Sequence, residues 1–335
     1  MPDNRAASPG AVGENSSGHS VDISVILCTF NRCQSLAMTL ECVAAQSLPA
    51  SVEWEVLVVD NNSADQTRAV VEDYCSRYPG RFRYLFEPQP GKSNALNAGI
   101  REARGGVLAF LDDDVTVELT WLQNLTADLR SGECAGAGGR ILPQGDLSLP
   151  RWLSFERSYW RGTLALFDPG TEPGILKDPP FGTNMAFQRK MFEKYGCFRT
   201  DLGPSPCPEI PRPSEDTEFG RRLMAAGEQL RYQPSALVHH PVPEQRLRKE
   251  YFLAWWFDKG RSDLRELGFP PKTRWFVGGI PVYLFRRLAV WVLLWMIAVQ
   301  PSDRFYRRTR VRWLVGQIVE SRRWRRSPGA DGNAS

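Results

Sequence analysis

Among 335 residues there is no C-x-x-C pair, no G-x-G-x-x-G after the first apolar run and no G-x-x-x-x-G-K-[ST]. Each absence excludes something. The seven cysteines, at 28, 33, 42, 75, 134, 197 and 207, are odd in number and scattered through expected strands and helices, which suits reduced thiols and not a disulfide framework. The missing glycine fingerprints leave neither a dinucleotide dehydrogenase nor a P-loop NTPase supported, and "GAGG" at 136–139 is too short and too late to replace them. The first twenty residues, "MPDNRAASPGAVGENSSGHS", lack an apolar run and are rich in Gly, Ser, Asn and Pro. They read as a loose tail and not a secretory signal, so the folded body is expected in the cytoplasm. The apolar run from Leu288 to Val299 covers only twelve residues, ~18 Å of helix, whereas a bilayer needs roughly twenty residues. Arg286 and Arg287 block its extension backwards.

What is present is an uneven distribution of charge and a regular alternation of elements. A content of 42% apolar residues suffices for a sizeable core. The formal net charge of +4 hides a division: residues 246–326 carry 19 Lys or Arg against 6 Asp or Glu, while the remainder carries 23 against 32. An acidic body is therefore joined to a basic tail.

Residues 21–142 alternate short apolar runs with amphipathic stretches, as βαβ units of a parallel sheet do. "DISVILCTF", "WEVLVVDN", "RFRYLFEP" and "GGVLAFLD" are expected strands, with "GAGGRILP" a fifth. "CQSLAMTLECVAAQ", "ADQTRAVVEDYCSRY" and "GKSNALNAGIREAR" place apolar residues three or four apart and are expected helices. Residues 143–245 form the second half of the same body, and 327–335 a second loose tail.

Ligands of open α/β sheets collect at the carboxyl ends of the strands. There the sequence puts Thr29, Asn31 and Arg32, then Asp60 and Asn61, then Asp112, Asp113 and Asp114. Each alone could be an ordinary turn or capping residue. Their convergence points to a binding site. Three carboxylates at the end of "VLAFLDDDV" repel one another unless something positive shares the space, and hard Mg2+ or Mn2+ suits such a donor set.

The ordered set "SVILCTFNR", "VVDNNSADQT", "GKSNALNAGI", "FLDDDV", "GTNMAFQRKMFEKYGCF" and "SEDTEFGRRL" resembles the family 2 glycosyltransferases, inverting enzymes with the GT-A nucleotide-sugar fold, over residues 23 to about 265. The resemblance implies a Rossmann-like, mostly parallel sheet flanked by helices. It implies that Asp60 binds the base or ribose of a nucleoside diphosphate, helped by Thr29, Asn31 and Arg32, with Lys92 adding positive charge. Asp112 and Asp114 take the acid positions of D-x-D, Asp114 as the direct metal ligand, and Asp113 falls near the ribose. Asp216 corresponds to the general base that deprotonates the acceptor hydroxyl. Alternatively, "PSEDTEFGRRLMAAG" is simply a helix start with Ser214 as N-cap. The family often ends the strand at this point with A-x-V-x-H-x-V-P, and through the match of "ALVHHPVPEQR" to it the resemblance implies His240 for the metal or the diphosphate and leaves His239 a structural role.

Two further segments have their own character. "LPRWLSFERSYWRGTLALFDPG" is rich in aromatics, which either stack on an acceptor or fill the core. "GPSPCPEIPRPSED" has five prolines and reads as a stiff loop over the site. The basic tail, 246–326, is expected to be helical. Trp291 and Trp295 with the flanking arginines suggest helices lying in an anionic membrane surface, at the inner face of the plasma membrane, although packing on the body is the other reading. No recognition motif for nucleic acid accompanies this charge.

The expected activity is metal-dependent, inverting transfer of a sugar from a nucleotide-diphosphate donor to a hydroxyl of a glycan or lipid-linked acceptor, in polysaccharide or glycolipid assembly. A nucleotidyltransferase would also use paired acids and Mg2+, but should carry a Gly-rich basic loop where "CTFNRCQS" stands. A catalytically inactive nucleotide-sugar binding module should have lost the acids, which are present.

Overall fold

A computed structural model describes residues 21–153, 159–271 and 273–324. Both expected tails and part of the aromatic segment, 154–158, lie outside these residues. The chain begins with β1 (Ile23–Thr29), α1 (Cys33–Ala44), β2 (Trp54–Asp60), α2 (Thr67–Arg77), β3 (Phe82–Phe86), α3 (Lys92–Glu102) and β4 (Val107–Asp112). Then come β5 (Thr116–Val117), α4 (Trp121–Arg130), β6 (Gly136–Pro143), α5 (Tyr159–Thr163), β7 (Gly174–Ile175), β8 (Asn184–Gln188), α6 (Arg189–Tyr195), α7 (Glu215–Ala225) and β9 (Leu230–His240). A 3-10 turn at Glu244–Leu247 leads to α8 (Lys249–Leu267), a small hairpin of β10 (Phe276–Val277) and β11 (Ile280–Pro281), and helices α9 (Val282–Met296) and α10 (Pro301–Trp324).

Eight strands follow one another in the order β3-β2-β1-β4-β8-β6-β9-β5, and β7 pairs with β9. The first four are parallel, as the βαβ reading requires. β6 is not the next parallel strand. The antiparallel β8, from the second half of the body, lies between β4 and β6. One continuous sheet therefore joins both halves. Asn184 of β8 ties the seam, donating to the carbonyls of Arg140 and Ala236 and accepting from Trp121 Nε1.

Alternation along the strands sorts the core onto two faces. Val25 and Leu27 pack with the apolar sides of α1, α2 and α4. Ile26 and Phe110 pack with α3, α6 and α7. On this second face Phe219 of α7 is fully buried and stacks on Phe192 with ring centroids 4.4 Å apart. Removing a buried aromatic of this kind costs about 3–5 kcal/mol, so Phe219, less than one turn beyond Asp216, fixes where that helix starts.

The basic tail is partly integral to the body. α8 and α10 cross so closely at Gly260 and Gly316 that a Cβ on either would collide with the backbone of the other helix, at Trp313 and Phe257 respectively. Buried Glu320 of α10 receives Arg261 at 3.0 Å and also Arg265 of α8. Those arginines continue to the carbonyls of Pro208, Glu209 and Asp201, so the tail braces the proline-rich loop. α9 differs: Leu284 is its one buried residue, and Val290, Leu293 and Met296 are exposed. No described helix is long and apolar enough to cross a membrane.

Most of the aromatic segment fills the core. Trp160, Leu164 and Leu166 are buried against Phe252 and Phe305, and Trp152 lies 4.3 Å from the Phe305 ring.

Candidate active site

Two clefts open at the carboxyl ends of β1 and β4, with volumes of about 650 and 550 Å³. They share Lys92 and Asp112. Lys92 starts α3, and its ammonium lies 2.7 Å from Asp112 Oδ1 and 3.7 Å from Glu215. Burial alone would lower the Lys92 pKa, but the adjoining carboxylates raise it, so the ammonium stays charged. Asp112 answers this: burial opposes its charge, while Lys92 and the Thr183 hydroxyl, 2.6 Å from Oδ2, hold its pKa below the usual carboxylate range.

The larger cleft contains Thr29, Arg32, Asp113, Asp114 and His240. One Arg32 nitrogen bridges Asp113 Oδ1 at 3.0 Å and Asp114 Oδ2 at 2.9 Å. Burial pushes the Asp113 pKa up, against the pull of Arg32. Cys28 also faces this cleft, and burial pushes its thiol up, which makes it a poor nucleophile.

Asp112, Asp114 and His240 each present a ligating atom, and these atoms lie within 4.8 Å of one another. His240 is 1% exposed, its Nε2 is 4.0 Å from Asp114 Oδ1, and its Nδ1 has no hydrogen-bond partner among the described residues. Two carboxylates and an imidazole fit a hard divalent ion, and the nitrogen favours Mn2+ over Mg2+. His239 turns away, pairing with Glu118 at 3.1 Å.

The smaller cleft contains Asp216 and Glu215. Asp216 accepts from the Gly182 and Thr217 amides, both at 2.6 Å. A Cβ at position 182 would stand 3.2 Å from Asp216 Oδ2, so glycine there lets the carboxylate approach the backbone. Ser214 holds the N-cap position but does not cap: its φ of 92° directs the hydroxyl away from the helix amides, and Oγ accepts from Lys259 at 3.2 Å. Burial and neighbouring Asp216 push the Glu215 pKa up to about 8.

Two predicted residues serve the walls of the site. Asp60 is buried, with Oδ1 accepting from the Ser63 amide at 2.9 Å and Oδ2 from the Tyr84 hydroxyl at 2.8 Å. It is not among the residues that line either cleft. Asn31, with a φ of 51°, accepts from the Ala64 amide at 2.7 Å and ties the loop after β1 to the loop after β2. The proline-rich loop does border both clefts through Pro204 and Arg212, and is tied to α3 by the Lys92 amide, 2.8 Å from the Pro204 carbonyl.

Sequence reasoning assigned no role to Thr183, Glu215 or Arg246. Thr183 and Glu215 stood inside quoted motifs and could have been marked as neighbours of Asp112 and Asp216. Arg246 stood first in a basic run and carried no distinguishing signal.

The family model described as glycosyl transferase family 2 matches residues 24–196. The succinoglycan biosynthesis protein ExoM of Rhizobium meliloti is 31% identical over 237 residues, which cover 70% of this chain and 71% of that protein. Glycosyltransferase AglE of Haloferax volcanii is 25% identical over 283 residues, 83% of this chain and 82% of its own. The mannosyltransferase PcManGT of Pyrobaculum calidifontis, solved with GDP-Man and Mn2+, superposes with a TM-score of 0.58 at 17% identity, covering 91% of this chain and 88% of that one. That likeness shows a shared GT-A fold.

Proposed function

Because the chain belongs to glycosyl transferase family 2, and is a glycosyltransferase, we propose that it transfers a sugar from a nucleoside-diphosphate donor to a hydroxyl of a glycan or lipid-linked acceptor, with inversion and with a bound Mn2+ or Mg2+. The observation that carries this reading is the pair of clefts sharing Lys92 and Asp112, one holding Asp113, Asp114 and His240, the other Asp216. The first has the charge pattern for a nucleoside diphosphate. The second presents a carboxylate base to an incoming hydroxyl.

In this reading Thr29, Arg32 and Asp113 receive the nucleoside, with Asp60 and Asn31 shaping the wall behind it. Lys92 carries positive charge at the junction, where the diphosphate meets the sugar. Asp216 takes the acceptor proton as the acceptor oxygen attacks the anomeric carbon, on the side opposite the breaking bond to phosphate. The two amide donors to Asp216 aim its carboxylate. Asp112, Asp114 and His240 would hold the metal, whose chemistry is to stabilise negative charge on the departing diphosphate.

The exposed apolar residues of α9, beside the arginine-rich α10, support contact with an anionic membrane surface. That would put the clefts beside a lipid-linked acceptor, at the inner face of the plasma membrane. The test of the catalytic reading is a transfer screen of nucleotide sugars with and without Mn2+ or Mg2+, with product anomers assigned by NMR. Metal-independent transfer with retained configuration would refute it.

A further inference from the structure

Arg246 reaches the metal-binding cluster from the turn between β9 and α8. Its Nη1 lies 3.1 Å from His240 Nε2, and its Nη2 lies 3.9 Å from Asp114 Oδ2. Since a guanidinium only donates, His240 Nε2 must be the acceptor, with its ring proton on Nδ1. A neutral imidazole nitrogen has one lone pair. It serves either an Arg246 N–H or a metal ion, and the two exclude each other.

The geometry points to Arg246 as a built-in stand-in for the cation, which leaves His240 when a divalent ion binds and turns its guanidinium to the diphosphate of the donor. Three observations support this. Arg246 contacts two of the three candidate ligands at once. Arg32 meets the same Asp114 oxygen at 2.9 Å, so that carboxylate keeps a cationic partner when Arg246 leaves. Arg246 also lines the larger cleft, together with Lys92, and its fork matches phosphate oxygens bidentately. Metal and diphosphate are then coupled: binding of the ion frees the group that receives the nucleotide, and the nucleotide keeps that group from returning. Arg246 acts here as a donor-binding residue.

The inference rests on the proposed metal site, and the test separates the two. Binding of Mn2+ alone is measured by calorimetry on the full chain, on Arg246→Met and on His240→Ala. Arg246→Met should bind Mn2+ about tenfold more tightly than wild type, because a charge-assisted hydrogen bond no longer competes. In the presence of Mn2+, it should bind UDP or GDP, tried in separate arms, about tenfold more weakly. Unchanged or weaker Mn2+ binding by Arg246→Met, with loss in His240→Ala, would overturn the role of Arg246 and leave the metal site standing. No Mn2+ binding by the wild type, with or without either nucleotide, would overturn both. A second measurement does not depend on a variant binding metal: titration of the wild type with diamagnetic Mg2+ should shift the Arg246 guanidinium NMR resonance as the site fills. A resonance that stays fixed at saturation overturns the proposal.

Discussion

Lys92 Nζ lies 2.7 Å from Asp112 Oδ1, and this pair stands where the two clefts meet. The same ammonium faces Glu215 at 3.7 Å. One cation thus touches the acids of both clefts. Lys92→Met should leave Asp112 with the Thr183 hydroxyl but no cation and destabilise the fold by about 3 kcal/mol. Urea denaturation checks this, and a loss below about 1 kcal/mol would mean that water or Thr183 already satisfies Asp112.

Asp216→Asn should preserve the fold, since the amide oxygen can still accept from Gly182 or Thr217, but remove the base. Turnover should fall by about a hundred- to ten-thousand-fold with donor KM nearly unchanged. Steady-state kinetics on the accepted donor provides the measurement, and an unaltered kcat would remove Asp216 from the chemistry.

Glu215 gives the stability a pH slope. Its carboxyl stays protonated in the folded chain up to about pH 8, but ionises in the unfolded chain near the ordinary value of 4.5. Between these values the folded state binds the extra proton, so this contribution is fully present below about pH 4.5 and is lost as pH rises towards 8. Glu215→Gln should therefore flatten the fall in melting temperature between about pH 5 and 8. Parallel pH profiles for both proteins would show that Glu215 does not titrate in this way.

Glu320 joins two arginines that hold the proline-rich loop. Glu320→Ala takes the shared carboxylate from Arg261 and Arg265 and leaves buried Arg261 with Asp258, 3.2 Å away, at an expected cost of about 3 kcal/mol. Hydrogen exchange should then increase in residues 201–213 before it does in the sheet. Exchange rising uniformly over the chain would argue against a local brace.

Leu293, Met296 and Ile297 are exposed by 56%, 62% and 61%, so charge can be placed there without entering the core. Replacing the three by Asp should abolish flotation with vesicles containing phosphatidylglycerol while leaving the melting temperature within about 1 °C. Retained flotation would place membrane contact elsewhere. A deletion from residue 281 is a poorer test, because it also removes α10 and with it Glu320 and Leu314.

The sequence made the first four strands and three helices readable, because apolar runs and 3.6-residue spacing are local properties. It also put Thr29, Asp60 and Asp112 at strand ends, where β1, β2 and β4 finish. Where side chains turn was not local information. Asp60 and Asn31 face the loop after β2, and Ser214 occupies a cap position with a backbone angle that prevents capping. Arg246 looked like one more surface charge because its contact with His240, across the turn that follows β9, depends on how residues 241–245 bend. The insertion of β8 was equally hidden, since strand order depends on pairings across the whole body.

The seam at Asn184 has a consequence for how the enzyme admits its substrates. Donor side and acceptor side belong to one sheet, with no hinge between them, so they cannot close on each other like jaws. Exchange of substrates must then be gated by the segments that border the clefts, 161–169 and 204–213. An acceptor of another shape is a matter of changing the cleft-facing positions of those segments, such as Arg161 and Arg212, while buried positions in and beside them, Leu164 and Trp160 among these, hold the fold.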